Sequence, residues 1–155
     1  MAYLEKLMMN TKWSERFMEM AVLISSWSKD PRRKIGAIAV SQKDRRILSS
    51  GYNGFPKQIE DDGRLLVSAE KSKYVIHAEM NCIYNATYTG VSLNGASLFV
   101  HGLPVCAECA KGIIQVGIDN VYCNFETTKE DSFWINSFEQ TKSILKEAGV
   151  KLWLI

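Results

Sequence analysis

Apolar residues recur along the chain in two periods, and the alternation of those periods predicts the elements. Trp13, Phe17, Met20, Ala21, Ile24 and Trp27 fall three or four positions apart, the stripe of an amphipathic helix ending before Asp30-Pro31. Such a stripe belongs to a core rather than to a cofactor box. Residues 35–40 and 46–51 are short runs on either side of a polar loop, and they predict a β-hairpin. Gly51-Tyr52-Asn53-Gly54 is expected to break its second strand. Residues 56–76 are polar and weakly periodic, with a turn signal at Asp61-Asp62-Gly63, which predicts an insertion with one short helix. Beyond it, 77–88 has helical character, 96–101 reads as a buried strand, 105–116 as a helix and 120–124 as a strand. Residues 131–148, with Phe133, Trp134, Phe138, Ile144 and Leu145 as apolar positions, predict a long helix stopped by Gly149, and 150–155 a last strand. Helices alternating with strands indicate a three-layer α/β/α sandwich on a mixed five-stranded sheet. That sheet is parallel where crossover helices join strands and antiparallel at the hairpin.

Composition narrows this picture without changing it. With 155 residues, 46% of them hydrophobic, and no repeat, low-complexity tract or linker, the whole of 1–155 is expected to be one domain. No stretch approaches the roughly 20 apolar residues of a membrane span, and no basic start leads into an apolar run. A soluble, cytoplasmic protein is expected. The net charge of +2 is too small for a long nucleic-acid footprint but leaves room for a small phosphorylated ligand. The basic run Arg32, Arg33, Lys34 reads first as a solvated loop.

Four cysteines in a chain without an export signal point to metal ligation or buried thiols rather than to a disulfide framework. Cys106 and Cys109 are three apart, so at the start of a helix both sulfurs share a face and the dipole favours their thiolates. His77 opens the preceding helix, and a His-Cys-Cys set leaves the fourth tetrahedral position of Zn²⁺ open for water, the mark of a catalytic site. Glu79 lies two residues past His77, close enough to move protons and poorly placed as a further ligand. His-x-Glu followed by Pro-Cys-x-x-Cys is the zinc deaminase signature, matched here except at the proline. Cys82, Cys123 and His101 lack such partners and are expected to pack or hydrogen-bond.

At these residues the chain resembles the cytidine deaminase superfamily, and more narrowly the deoxycytidylate deaminases. Ser28-Lys29-Asp30-Pro31, Ile35-Gly36-Ala37, Gly51-Tyr52-Asn53-Gly54-Phe55-Pro56 and Cys109-Ala110-Lys111 carry the likeness over nearly the whole length. It implies hydrolysis of dCMP to dUMP and ammonia, with one catalytic Zn²⁺ per chain and Glu79 as the catalytic carboxylate. It implies that Asn53 orients the nucleotide, and that Ser28 and Lys29 lie where the 5′-phosphate is held, since a phosphate needs charge-assisted donors. It further implies a homo-oligomer, often a hexamer, regulated by dCTP and dTTP with Mg²⁺ through Gly51, Tyr52 and Gly54. An ordinary strand-ending turn is an equal reading of those glycines.

Two departures stand out. Val105 occupies the place before Cys106 where the family usually has proline, and Pro104 is displaced by one. Residues 54–76 contain neither Cys nor His, which excludes from that insertion the second zinc of some relatives. A deaminase of tRNA or free nucleosides and a non-catalytic zinc-containing nucleotide sensor remain the rivals. The glycine-flanked Tyr52-Asn53 string and the modest charge argue against the first, and Glu79 against the second.

Overall fold

The computed structural model describes residues 11–155, so the first ten residues of the expected 1–155 domain lie outside the described part. In chain order the elements are α1 (Thr11–Ser25), β1 (Gly36–Ser41), β2 (Ile47–Tyr52), a 3-10 turn (Gly63–Leu66), α2 (Ser68–Tyr74), α3 (Ala78–Thr89), β3 (Ala96–Gly102), α4 (Ala107–Gln115), β4 (Asn120–Phe125), a second 3-10 turn (Lys129–Asp131), α5 (Ser132–Ala148) and β5 (Lys151–Leu154). The strands form one sheet in the order β2-β1-β3-β4-β5. The hairpin pairs antiparallel, β1 pairs antiparallel with β3, and β3, β4 and β5 run parallel. This is the mixed five-stranded sheet the alternating periods imply.

Strand alternation sorts the core onto two faces. Ala37, Ala39, Leu98, Val100, Val121 and Cys123 pack against Ala78, Cys82 and Ile83 of α3 and Cys109, Ala110 and Ile113 of α4. Ile38, Val40, Phe99 and Tyr122 point the other way and receive Phe17, Met18, Ala21 and Ile24 of α1. The Phe99 and Tyr122 rings stack at 4.5 Å with at most 1% of either exposed, and each such side chain contributes about 1.5–3 kcal/mol of burial. β1 and β3 are buried on both faces, hence their nearly unbroken apolar sequences.

Local chemistry fixes the boundaries. Gly149 stops α5 at φ 78°, its N–H donating to Leu145 and Lys146 carbonyls. At the other end a capping box of Thr128 and Asp131 winds a 3-10 turn ahead of α5. Two expectations need correction. Trp27 continues the helical spacing, yet α1 ends at Ser25 and Trp27 is 56% exposed, resting edge-on against Tyr52 at 6.3 Å. β2 ends at Tyr52, within the segment expected to stop it. A Cβ on Gly51 would lie 2.3 Å from the Cys82 backbone nitrogen, so this glycine lets α3 lie directly on the strand. The insertion holds two short elements rather than one, and its isolated bridge, Gly54 to Ile76, brings the chain back to α3.

Candidate metal centre

The site forms where β3 ends and two helices begin. His77 is the N-cap residue of α3 and Cys106 that of α4, with Glu79 and Cys109 in the first turns. The two positive helix ends therefore converge on a group of anionic side chains, which suits thiolates and a carboxylate. This lies outside the carboxyl end of a parallel strand, where open α/β sheets place their ligands.

His77 Nδ1 is 3.4 Å from Cys106 Sγ and 3.4 Å from Cys109 Sγ, and all three donor atoms lie within 4.8 Å of one another. Tetrahedral zinc, with a bond of about 2.05 Å to nitrogen and about 2.3 Å to sulfur, sets such atoms about 3.6 Å apart, so the donor set fits the ion. The neighbouring Cys109 thiol and then His77 pull Cys106 down to about 4, against burial, while Cys109 is pushed up by Cys106 and by burial. His77 is raised by its bond to Cys106. Burial pushes Glu79 up to about 7, with His77 pulling the other way. Cys82 and Cys123 are pushed up to about 12 by burial and are inert packing thiols. His101 Nδ1 bonds Asn124 Oδ1 at 2.8 Å.

Supports for the ligands come from α5. Thr141, fully buried, donates from Oγ1 to the Val105 carbonyl at 2.8 Å, and Ser137 Oγ accepts the Ala107 N–H at 2.9 Å. Those bonds hold the backbone on both sides of Cys106 although Val105 lacks the stiffness of proline. Trp134 stands edge-on to the His77 ring at 5.5 Å. No spacing in the sequence marks Ser137 or Thr141, because they act from another helix.

The metal site opens into a cavity of about 710 Å³. His77, Glu79, Cys106 and Asn53 line one part, Leu103, Pro104, Val75 and Trp134 give apolar wall, and Arg32, Arg33, Lys71, Asp30 and Asp131 bring charge. Arg32 and Lys34 are exposed, as a solvated loop requires, whereas Arg33 is half-buried and departs from that reading. Arg33 pairs with buried Asp131, and Arg32 Nη1 donates to Ser68 Oγ at 2.8 Å. Asn53 is buried, its Oδ1 accepting from the Ile35 N–H at 2.9 Å and its Nδ2 donating to the Arg33 carbonyl at 2.8 Å.

Ser28 and Lys29 fall outside the cavity lining. Ser28 is buried and donates to the Asn53 carbonyl at 2.9 Å, and Lys29 turns outward to Asp61 at 2.7 Å. Of the glycine-flanked segment, Gly51 is packed under α3, Gly54 faces open space and Tyr52 is 40% exposed. No helix among the described residues is long and apolar enough to cross a membrane.

Residues 11–125 match the family described as the cytidine and deoxycytidylate deaminase zinc-binding region. The chain is 37% identical over 147 residues to an uncharacterized deaminase of Aliivibrio fischeri, covering 94% of this chain and 96% of that protein. Human deoxycytidylate deaminase is 40% identical over 116 residues, 71% of this chain and 63% of the human one, so the match spans less than two thirds of that relative. The crystal structure of the dCMP deaminase of cyanophage S-TIM5 in complex with dCMP and dUMP superposes with a TM-score of 0.78 at 29% identity, over 96% of this chain and all (100%) of that one. With its ligand set, its sheet order and these likenesses in agreement, the chain belongs to the cytidine and deoxycytidylate deaminase family.

Proposed function

We propose that this chain hydrolyses dCMP to dUMP and ammonia. The observation that carries the reading is the convergence of His77, Cys106 and Cys109 beside buried Glu79 at a nucleotide-sized cavity. His77, Cys106 and Cys109 would hold Zn²⁺, which would supply a water made acidic enough to ionise near neutral pH. Glu79 would take one proton from that water as its oxygen adds at C4 of cytosine and pass it to ring N3, then take the second proton from the C4 hydroxyl and pass it to the amine, which leaves as ammonia as the C4 carbonyl forms. Its burial favours both protonation states being accessible near neutrality, which a group passing a proton in two directions needs. Trp134, Leu103 and Pro104 exclude water from the base.

Asn53 keeps one amide hydrogen and one carbonyl lone pair beyond its backbone bonds, and these orient the nucleotide. Ser28 supports that role from behind by holding the Asn53 carbonyl. The reading includes a homo-oligomer, of hexamer type, regulated by dCTP and dTTP with Mg²⁺ through Gly51, Tyr52 and Gly54. The sequence resemblance and the exposed Tyr52 ring support this part. Ammonia release from dCMP, deoxycytidine and a tRNA stem-loop tests the substrate, and a preference for either of the last two overturns it. Opposite responses of the rate to the two triphosphates are expected, and flat curves at saturating Mg²⁺ would remove regulation from the reading.

A further inference from the structure

Three cations line the cavity of the metal centre: Arg32, Arg33 and Lys71. Two are already neutralised. Arg33 is engaged by Asp131, and the Lys71 ammonium lies 2.8 Å from Asp30, both carboxylates being buried. Arg32 has no carboxylate partner among the described residues, and only its Nη1 is used, against Ser68 Oγ. It also lines a second cavity of about 280 Å³ with Lys34, whose charge is likewise unpaired among the described residues. Exposed Glu126 lines that second cavity too and offsets one of these charges, so the unpaired cation at the metal-centre cavity is Arg32 itself, exposed at its rim. A guanidinium with most of its fork free, beside a hydroxyl whose own hydrogen is unspent, matches the acceptors of a phosphate monoester. Exposed Glu130 on the same rim opposes an anion, but water screens it, so it lowers affinity without redirecting the ligand.

We infer that Arg32, steadied by Ser68, reads the 5′-phosphate of the nucleotide and sets the preference of this chain for nucleotide over nucleoside. This rests on the dCMP reading above. Ser28 and Lys29, the residues that the sequence resemblance points to, face away from the cavity and leave this task open. The exposed Arg32-Ser68 contact joins the loop before β1 to the insertion helix α2, so the insertion contributes to where the guanidinium sits.

The test uses full-length, zinc-loaded protein with Arg32→Ala, Arg32→Lys and, as a charge control, Arg46→Ala on the exposed hairpin loop. Losing a charge-assisted contact of this kind is expected to raise KM for dCMP by about 10- to 100-fold, with kcat changing far less. Arg32→Lys should recover part of that loss, and Arg46→Ala should match wild type. Turnover of deoxycytidine, which has no phosphate, should respond to none of them by more than about 3-fold. Calorimetric titration with dUMP reads the same site without chemistry, and Arg32→Ala should weaken it about 10- to 100-fold. Unchanged dUMP affinity and unchanged KM in Arg32→Ala would overturn the inference, as would equal losses on dCMP and deoxycytidine. Weakened dUMP binding in a protein that deaminates none of the substrates would sink the proposed function and leave this inference standing.

Discussion

Replacing Gly51 by alanine separates a packing role for the glycine-flanked segment from a ligand-binding one. The added Cβ would lie 2.3 Å from the Cys82 nitrogen, 2.6 Å from the Ala78 carbonyl oxygen and 2.8 Å from the Asn81 carbonyl carbon. All three are backbone atoms of α3, so no side chain can turn aside. Ordinary contact between such atoms falls at about 3.5 Å, and the helix must therefore retreat by roughly 1 Å. Overpacking of that kind costs about 1–3 kcal/mol, which in a domain of this size lowers Tm by about 2–4 °C per kcal/mol. The displaced helix carries His77 and Glu79, and a misplacement of about 1 Å in a reacting group costs about 10²-fold in rate. Thermal unfolding, zinc content and the rate on dCMP measured without any triphosphate give the three readouts. A Gly51→Ala protein with wild-type Tm and rate in the absence of triphosphate would refute the packing account.

Three other outcomes are expected. Glu79→Gln should keep zinc, measured by metal analysis, and lose turnover of dCMP by about 10²- to 10⁴-fold, and retained turnover would exclude the proton-transfer role. Thr141→Val strips the Val105 carbonyl of its buried donor and should cost about 1–3 kcal/mol in chemical unfolding, with weaker zinc retention against a chelator because Val105 precedes Cys106. Asp30 is driven upward by burial, but the Lys71 ammonium and the Arg32 and Arg33 backbone N–H groups outweigh this and hold it below its ordinary range. A depressed folded pKa gives stability that is full above the unfolded value of about 3.9 and is lost as pH falls through the lower folded value. Asp30→Asn should thus be less stable than wild type at pH 7 and converge with it in acid, and parallel stability profiles between pH 7 and 3 would contradict the ion-pair account.

The parts of this molecule that the sequence discloses are those whose signals are local. His77-x-Glu79 and Cys106-x-x-Cys109 each occupy one helical turn, and the period change between strand and helix locates both turns on the scaffold. The five strands follow for the same reason, as alternating or unbroken apolar runs between turn residues. What stays hidden depends on residues far apart in the chain. Arg32 meets Ser68 across 36 positions and Arg33 meets Asp131 across 98, so a basic run that looks like a solvated loop becomes the wall of a cavity. Gly51 shows the same limit, since a glycine in a strand pattern does not say which helix lies against it. Trp27 errs in the opposite direction, its helical spacing persisting two residues past the point where α1 ends.

The metal centre joins two helices that touch where Gly112 of α4 lies against Met80 of α3 but that take their other supports from opposite sides. α3 is placed by its bed on β2, where Gly51 permits close approach and Ser49 and Asn85 supply strand-to-helix hydrogen bonds of 2.7 and 2.8 Å. α4 is placed from the far side by Ser137 and Thr141 of α5. An ion bound by His77 of the first and Cys106 and Cys109 of the second cross-links these two supports, so its binding free energy becomes stability of their relative position. Glu79 is positioned within the same arrangement, with the Cys109 side chain and its own backbone N–H as polar partners. It rides in the first turn of the helix that His77 caps, buried, and an ion bound by the three ligands would stiffen that helix start and the carboxylate with it.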